Sequence, residues 1–254
     1  MSYKLKELTS LLNRTLEYYQ KNQNPDYVIK PAIPILYFGD IKAYFESKIK
    51  IITVGKNPSP TEFCRKKGEP YSFLRFPDWE EKQYYAAALN SYFEYEPYKS
   101  WFGSYEEILN GIEASYYSKN ERVNRAIHAD ICSPIATDPT WSKLSHKSQK
   151  ELFNAGFKLW QELISILEPD IILISIAQFW LQELNLTNKV KFLSFDKRQN
   201  GTDRAKPYII DRYQLSLDRG KVSKVYFGQA AEKPFGSLSN EFKQELGRKI
   251  LAEF

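Results

Sequence analysis

Asn57 stands two residues after a glycine and directly before a proline, in the run Ile49 to Pro60, IKIITVGKNPSP. Glycine lets the backbone turn sharply and approach a ligand, and Asn-Pro fixes an amide side chain in a rigid loop. An amide is a poor general base, but it holds a water or a carbonyl with two defined hydrogen bonds. Such a site suits a reaction whose leaving group departs largely by itself. The same Asn57-Pro58 pair also fits a plain turn. The loop leaves a continuous β-branched apolar run, which reads as a strand buried on both faces, as in a parallel sheet covered by helices. Ligands of such sheets sit at the carboxyl ends of the strands, where Gly55, Asn57 and Pro58 fall.

Other residue types capable of chemistry are scattered. His128 and Asp130 close the run AIHADI; an ionised Asp130 accepts hydrogen bonds only and would suit an N–H edge, while His128 reads first as a buried strand residue. His146, in SHKSQK, reads as solvated, and Trp141 as packing beside the loop. Lys197, Arg198, Arg204 and Lys206 surround an Asn-Gly turn in the stretch Asp196 to Lys206. They form either a solvated hairpin tip or a set of phosphate contacts that weaken with salt. Ser237 and Ser239, near Gly236, fall at the start of the last helix, where N–H groups point outward toward an anion. Cys64 and Cys132 make neither a disulfide framework nor a zinc-ligand spacing, so no metal and no cofactor is expected.

Composition sets the frame. A net charge of +5 tilts the chain mildly toward polyanionic partners. An aromatic share of 15%, with 18 tyrosines, supplies rings that can stack on bases, though most should serve packing. No run approaches the ~18 apolar residues of a membrane span. The start MSYKLKEL lacks the apolar core of a signal peptide, so a soluble, cytoplasmic protein is expected.

The elements that must position these residues alternate in type. Lys4 to Gln20 carries Leu5, Leu8, Leu12, Leu16 and Tyr19 at helical spacing, and Asp40 caps a short helix bearing Ile41, Tyr44 and Phe45. No buried strand is evident from Cys64 to Asn120; helices are expected near Glu80 to Phe93 and after Ser104, where Ser104 and Glu107 form a capping-box pattern. Ala126 to Ile131 reads as a strand, and Ser148 with Glu151 opens a long helix that stops before Glu168-Pro169. Asp170 to Ile176 and Lys224 to Phe227 read as buried strands. Ala177 to Leu184 reads as a short helix, Lys189 to Phe195 and Tyr208 to Leu217 as alternating strands, and Glu241 to Ala252 as the last helix. Alternating strands and helices argue for an α/β/α three-layer sandwich around a mainly parallel sheet of about four core strands. There are no internal repeats.

The G-K-N-P-S turn of Gly55 to Ser59 resembles the first motif of the uracil-DNA glycosylase superfamily, in the G-x-N-P form of its mismatch-specific and single-strand-selective branches. Gly68 to Phe76, GEPYSFLRF, lies where that family carries an aromatic that stacks on a flipped base. PTWSKLSHKSQKELFNAGFKLWQELISILEP, Pro139 to Pro169, is similar to the mismatch-specific pattern, and DIILISIAQFW to the strand and helix that follow it. The family's second motif is His-Pro-Ser or Asn-Pro-Ser; in Phe227 to Asn240, FGQAAEKPFGSLSN, its position is held by Lys233-Pro234.

The resemblance implies one domain over 1–254, with an N-terminal helical extension (1–48) and an aromatic-rich helical insert (64–120). It implies hydrolysis of the N-glycosidic bond of a damaged or mismatched, uracil-type base flipped out of DNA. Asn57 would position water and Lys233 would face the departing base. Gly55, Lys56, Pro58, Ser59, Asp130 and one ring among Tyr71, Phe73 and Phe76 would hold that base. Lys197, Arg198, Arg204, Ser237 and Ser239 would meet the backbone of DNA or another nucleic acid, and the protein would act as a monomer. Two alternatives stay open: a catalytically inert nucleic-acid-binding relative, and a nucleotide or nucleoside hydrolase on the same fold.

Overall fold

The structure, a computed structural model, describes residues 2–82, 84–198, 200–230 and 232–254. Among the described residues eight α-helices occur in the order α1 (Ser2–Asn22), α2 (Ile41–Glu46), α3 (Pro77–Lys82), α4 (Tyr85–Asn90), α5 (Lys99–Gly111), α6 (His146–Leu167), α7 (Gln178–Leu181) and α8 (Asn240–Leu251). Seven strands accompany them: β1 (Ile51–Gly55), β2 (Ala114–Ser115), β3 (Asn124–Asp130), β4 (Ile171–Ile174), β5 (Leu186–Lys197), β6 (Asp203–Ser216) and β7 (Val222–Gly228). They form one mixed sheet in the order β2-β3-β1-β4-β7-β6-β5. The pairs β2–β3, β1–β4 and β4–β7 are parallel, whereas β7–β6 and β6–β5 are antiparallel. The protein is therefore α/β, with a sheet larger and more mixed than about four mainly parallel strands. Every residue of β1 and β4 is buried, as a continuous apolar run requires.

The chain divides into two interleaved compact units. The first takes the chain up to Ile41, then Gly55–Tyr98 and Ile127–Leu167; the second takes Lys42–Val54, Lys99–Ala126 and Glu168–Phe254.

In the first unit α1 packs on α6. The buried stripe of α1 is Leu8, Leu11, Leu12, Thr15 and Tyr18, with Leu5 exposed, so it is rotated from the leucine pattern toward Tyr18. The reason is polar. Tyr18 donates its hydroxyl proton to the Leu152 carbonyl on α6 at 2.9 Å, and Thr15 returns its own to Leu11. The helix α6 starts two residues before Ser148, because Ser145 supplies the cap: its Oγ accepts from the Ser148 N–H at 3.1 Å. It ends at Leu167, where Glu168 adopts φ 47° ahead of Pro169.

In the second unit α5 begins at Lys99, so Ser104 lies inside the helix and not at its cap. Its hydroxyl donates to the Pro234 carbonyl and accepts from Lys243 Nζ at 2.8 Å. The two-residue β2 interrupts the stretch in which no strand was expected. The ribbon β5–β6 is longer than its alternating cores, and most of Asp196 to Lys206 is strand: β5 ends at Lys197 and β6 starts at Asp203, with Gly201 at φ 79° between them.

Contact between α5 and α8 depends on two glycines. A Cβ on Gly247 would stand 2.2 Å from the Ile108 carbonyl oxygen, and one on Gly111 2.4 Å from that of Gln244. Gly103, on the same helix α5, has nothing within 4 Å of its would-be Cβ. Gly247→Ala is expected to destabilise the fold by about 1–3 kcal/mol through overpacking. Gly103→Ala should stabilise it by up to about 1 kcal/mol through helix propensity. Thermal melts of the two variants should shift in opposite directions.

Candidate functional site

The turn after β1 is fixed from one side by the chain leaving β3. Ile131 donates its N–H to the Gly55 carbonyl at 3.0 Å, and Cys132 donates to that of Lys56 at 2.8 Å. That outgoing loop is itself held by the extended segment before α2. Ile29 donates to Ala136 O at 3.2 Å, Ile35 to Pro134 O at 2.7 Å, and Val28 bridges Thr137. Asn57 closes the arrangement: its Nδ2 donates to the Ile135 carbonyl at 3.1 Å and to Thr137 Oγ1 at 3.0 Å. A main-chain carbonyl can only accept, so the nitrogen must face Ile135 and the amide orientation is determined. Its Oδ1 accepts no hydrogen bond among the described residues.

Gly55 owes its identity to what lies above it. A Cβ there would stand 2.3 Å from Asp130 Oδ1 and 3.0 Å from His128 Nε2. His128 Nε2 and Asp130 Oδ1 are 3.4 Å apart, with both side chains almost wholly buried. Lys56, next in the chain, is half-buried; burial lowers its ammonium pKa, while the charges of Cys132 and Asp130 act to raise it. Among the described residues its Nζ takes part in no hydrogen bond or ion pair. Pro58 is buried, and Ser59 Oγ is buried without a hydrogen-bond partner.

The aromatic candidates separate sharply. Phe76 is fully buried, its ring stacked on Phe63 at 5.4 Å and tilted against Tyr92 at 5.5 Å. With no exposed face it cannot receive a base; the sequence pattern did not distinguish it from its neighbours. Phe73 is half-buried, with Phe63 and Trp79 at its edges, and Tyr71 donates to Asp138 Oδ2 at 2.5 Å. The buried rings continue from Tyr92 to Phe38 at 4.7 Å and from Phe38 to His128 at 5.5 Å.

A scan of family models and a search of curated proteins return no match to this chain.

Two residues not singled out from the sequence belong to the same unit. Thr137 anchors Asn57, and Glu62 is buried below the turn, accepting from the Tyr92 hydroxyl. Ser59-Pro60-Thr61-Glu62 carries the S-x-x-E signature of a helix start, and a short 3-10 turn indeed begins there, its Glu62 N–H bonded to Ser59 O. The carboxyl, however, turns inward. Burial raises its pKa to about 7, against the pull of the Tyr92 hydrogen bond and the Arg75 charge, with the Asp130 charge adding to the rise. Among the described residues no group of three or more His, Cys, Asp or Glu side chains is placed to hold a metal.

The remaining candidates lie in the second unit. Lys233 is exposed in a turn closed by its carbonyl and the Gly236 N–H at 3.0 Å. Lys197 and Arg198 are exposed, whereas Arg204 is occupied by hydrogen bonds to Lys197 O and Ser237 O and lies over the Tyr208 ring. Ser239 caps α8, its Oγ accepting from the Phe242 N–H at 3.2 Å, so its lone pairs serve the helix. A cleft of about 340 Å³ at the carboxyl ends of α5 and α8 is lined by Arg122 and Arg248. These arginines complement two negative helix ends, which accounts for them without a ligand.

Glu62 makes stability depend on pH. Its folded pKa lies above its ordinary value, so the native state holds the proton more tightly, and stability falls as pH rises from about 4.5 to about 7. The loss should reach roughly 3 kcal/mol. Urea unfolding across that window should show a clearly shallower fall in Glu62→Gln than in the wild type, the remainder coming from groups such as Glu106, whose carboxyl pKa burial also raises.

Proposed function

We propose that the protein is a DNA-glycosylase-like hydrolase that cleaves the N-glycosidic bond of a flipped, uracil-type base. The observation that carries this reading is Asn57. Its amide nitrogen is anchored on Ile135 and Thr137, which leaves the carbonyl oxygen as an acceptor with no partner among the described residues. An oxygen so placed can accept one proton of a water and aim its lone pair at a sugar carbon. An amide suffices because the base leaves as the bond stretches and the nucleophile is needed only late.

Extruding a base costs a few kcal/mol, least for a damaged or mispaired one. Stacking on an aromatic ring returns about 1–3 kcal/mol, and Tyr71 and Phe73 are the rings with surface to offer. Asp130 suits the N–H edge of the base, and the buried Ser59 hydroxyl without a partner is a further polar group at the turn. In this reading Lys197 and Arg198 meet phosphates of DNA or another nucleic acid. The finer fold reading, a three-layer sandwich of the uracil-DNA glycosylase type acting as a cytoplasmic monomer, belongs to the same proposal. Among the described residues no helix is long and apolar enough to cross a membrane.

The test is base release from labelled single- and double-stranded oligonucleotides containing uracil, G·U or G·T pairs, hypoxanthine or alkylated bases, scored by alkali cleavage. Release should fall by at least about 100-fold in Asn57→Ala, measured well below a melting temperature lowered by the loss of about 1–3 kcal/mol from the stranded Ile135 carbonyl and Thr137 hydroxyl. Tight binding without release would convert the reading to an inert binder, and release from free nucleosides alone would move the substrate to small molecules.

Phe73→Ala is expected to weaken release while leaving the fold intact. Phe76→Ala should instead destabilise the protein by about 3–5 kcal/mol, which a melt would reveal before any activity assay.

A further inference from the structure

We propose that Lys56 is an amine nucleophile toward the sugar aldehyde left by base release, which gives the protein an abasic-site lyase activity besides hydrolysis. The inference deepens the glycosylase reading and rests on it. Three observations carry it. Lys56 immediately precedes Asn57, so the two Cα atoms are about 3.8 Å apart and both side chains start from one rigid turn. Both also face the chain that leaves β3: the Lys56 ammonium feels the charges of Asp130 and Cys132, and the Asn57 amide is bonded at Ile135 and Thr137. The ammonium is half-buried, yet among the described residues no carboxylate, carbonyl or hydroxyl engages it.

A structural lysine in such a place would be expected to end on a partner, as Lys50 ends on Ser47 O and Lys221 on Glu168 O and Asp170. Partial desolvation disfavours the charged form and increases the fraction of free amine, the condition for attack on a carbonyl. The backbone at this point cannot drift, because the Lys56 carbonyl accepts from Cys132 and the preceding Gly55 carbonyl from Ile131.

The chemistry balances without an oxidant. The neutral amine adds to C1′ of the ring-opened deoxyribose, and water leaves to form an imine. A proton is then lost from C2′, with the Asp130 carboxylate as the nearby acceptor. The C3′–O bond breaks, and its electron pair departs with the phosphate of the downstream strand. Water finally hydrolyses the imine, which frees the lysine and an unsaturated aldehyde.

Borohydride reduction tests this on the full chain and a preformed abasic oligonucleotide, so no base release is required. The expected result is a covalent protein–DNA adduct whose peptide map carries the modification at Lys56. Lys56→Arg keeps the charge but cannot form the imine, and the adduct should be lost. Lys147→Ala, an exposed lysine of α6, should leave it unchanged. No adduct, an adduct mapped elsewhere, or an adduct undiminished in Lys56→Arg would overturn the inference. Base release without an adduct sinks the lyase alone, whereas an adduct without base release sinks the hydrolase reading alone.

Discussion

Asp130 Oδ1 lies so close over Gly55 that a methyl group there would be 2.3 Å from it, and the site follows from this approach. Carboxylate, imidazole and backbone can share that space only where position 55 has no side chain. The proximity draws the chain leaving β3 against the turn leaving β1, where Ile131 and Cys132 donate to the Gly55 and Lys56 carbonyls. Once they are joined, the Ile135 carbonyl and Thr137 hydroxyl come within reach of Asn57, and the amide has one orientation. A single steric requirement thus passes through main-chain hydrogen bonds to the direction of one carbonyl oxygen.

Beneath this polar layer lies a packed aromatic one. Phe63, Phe76, Tyr92 and Phe38 lead in stacked, tilted and edge contacts to His128, and Glu62 is buried against Tyr92. An acidic group in such surroundings favours its neutral form, since few dipoles there can replace water. The turn is therefore held by a hydrogen-bonded loop, and the rings pack against His128, which would meet any side chain at position 55. Rigidity of this kind is what an orienting amide requires, because its contribution lies in direction and not in basicity.

Strands such as Ile51–Gly55 and Ile171–Ile174 were legible because uninterrupted apolar runs have few other uses, and the stop at Leu167 followed from Glu168-Pro169. Helix starts were less legible. Ser104 and Ser148 each had an acidic residue three places on, yet one lies inside α5 and the other is the donor to Ser145. Local patterns cannot say which of several hydroxyls takes the cap. The extent of β5–β6 was hidden because an exposed ribbon is written in polar residues with no buried face to enforce alternation. For the site, the Gly55 to Ser59 turn could be located, while the contributions of Thr137 and Glu62 depended on contacts that spacing does not encode. Tyr71, Phe73 and Phe76 looked equivalent in one dimension and differ only by which ring the fold encloses.

The partners of Asn57 are 78 and 80 residues away along the chain. Bringing such distant segments together requires closing a long loop before any contact rewards the loss of chain entropy. The acceptor geometry accordingly needs the loop after β3 in place, and is absent from any state in which that loop has not docked on the turn. Competence at this turn and completion of the first unit are one event, and a partially folded chain would expose the G-K-N-P-S sequence without its directed oxygen.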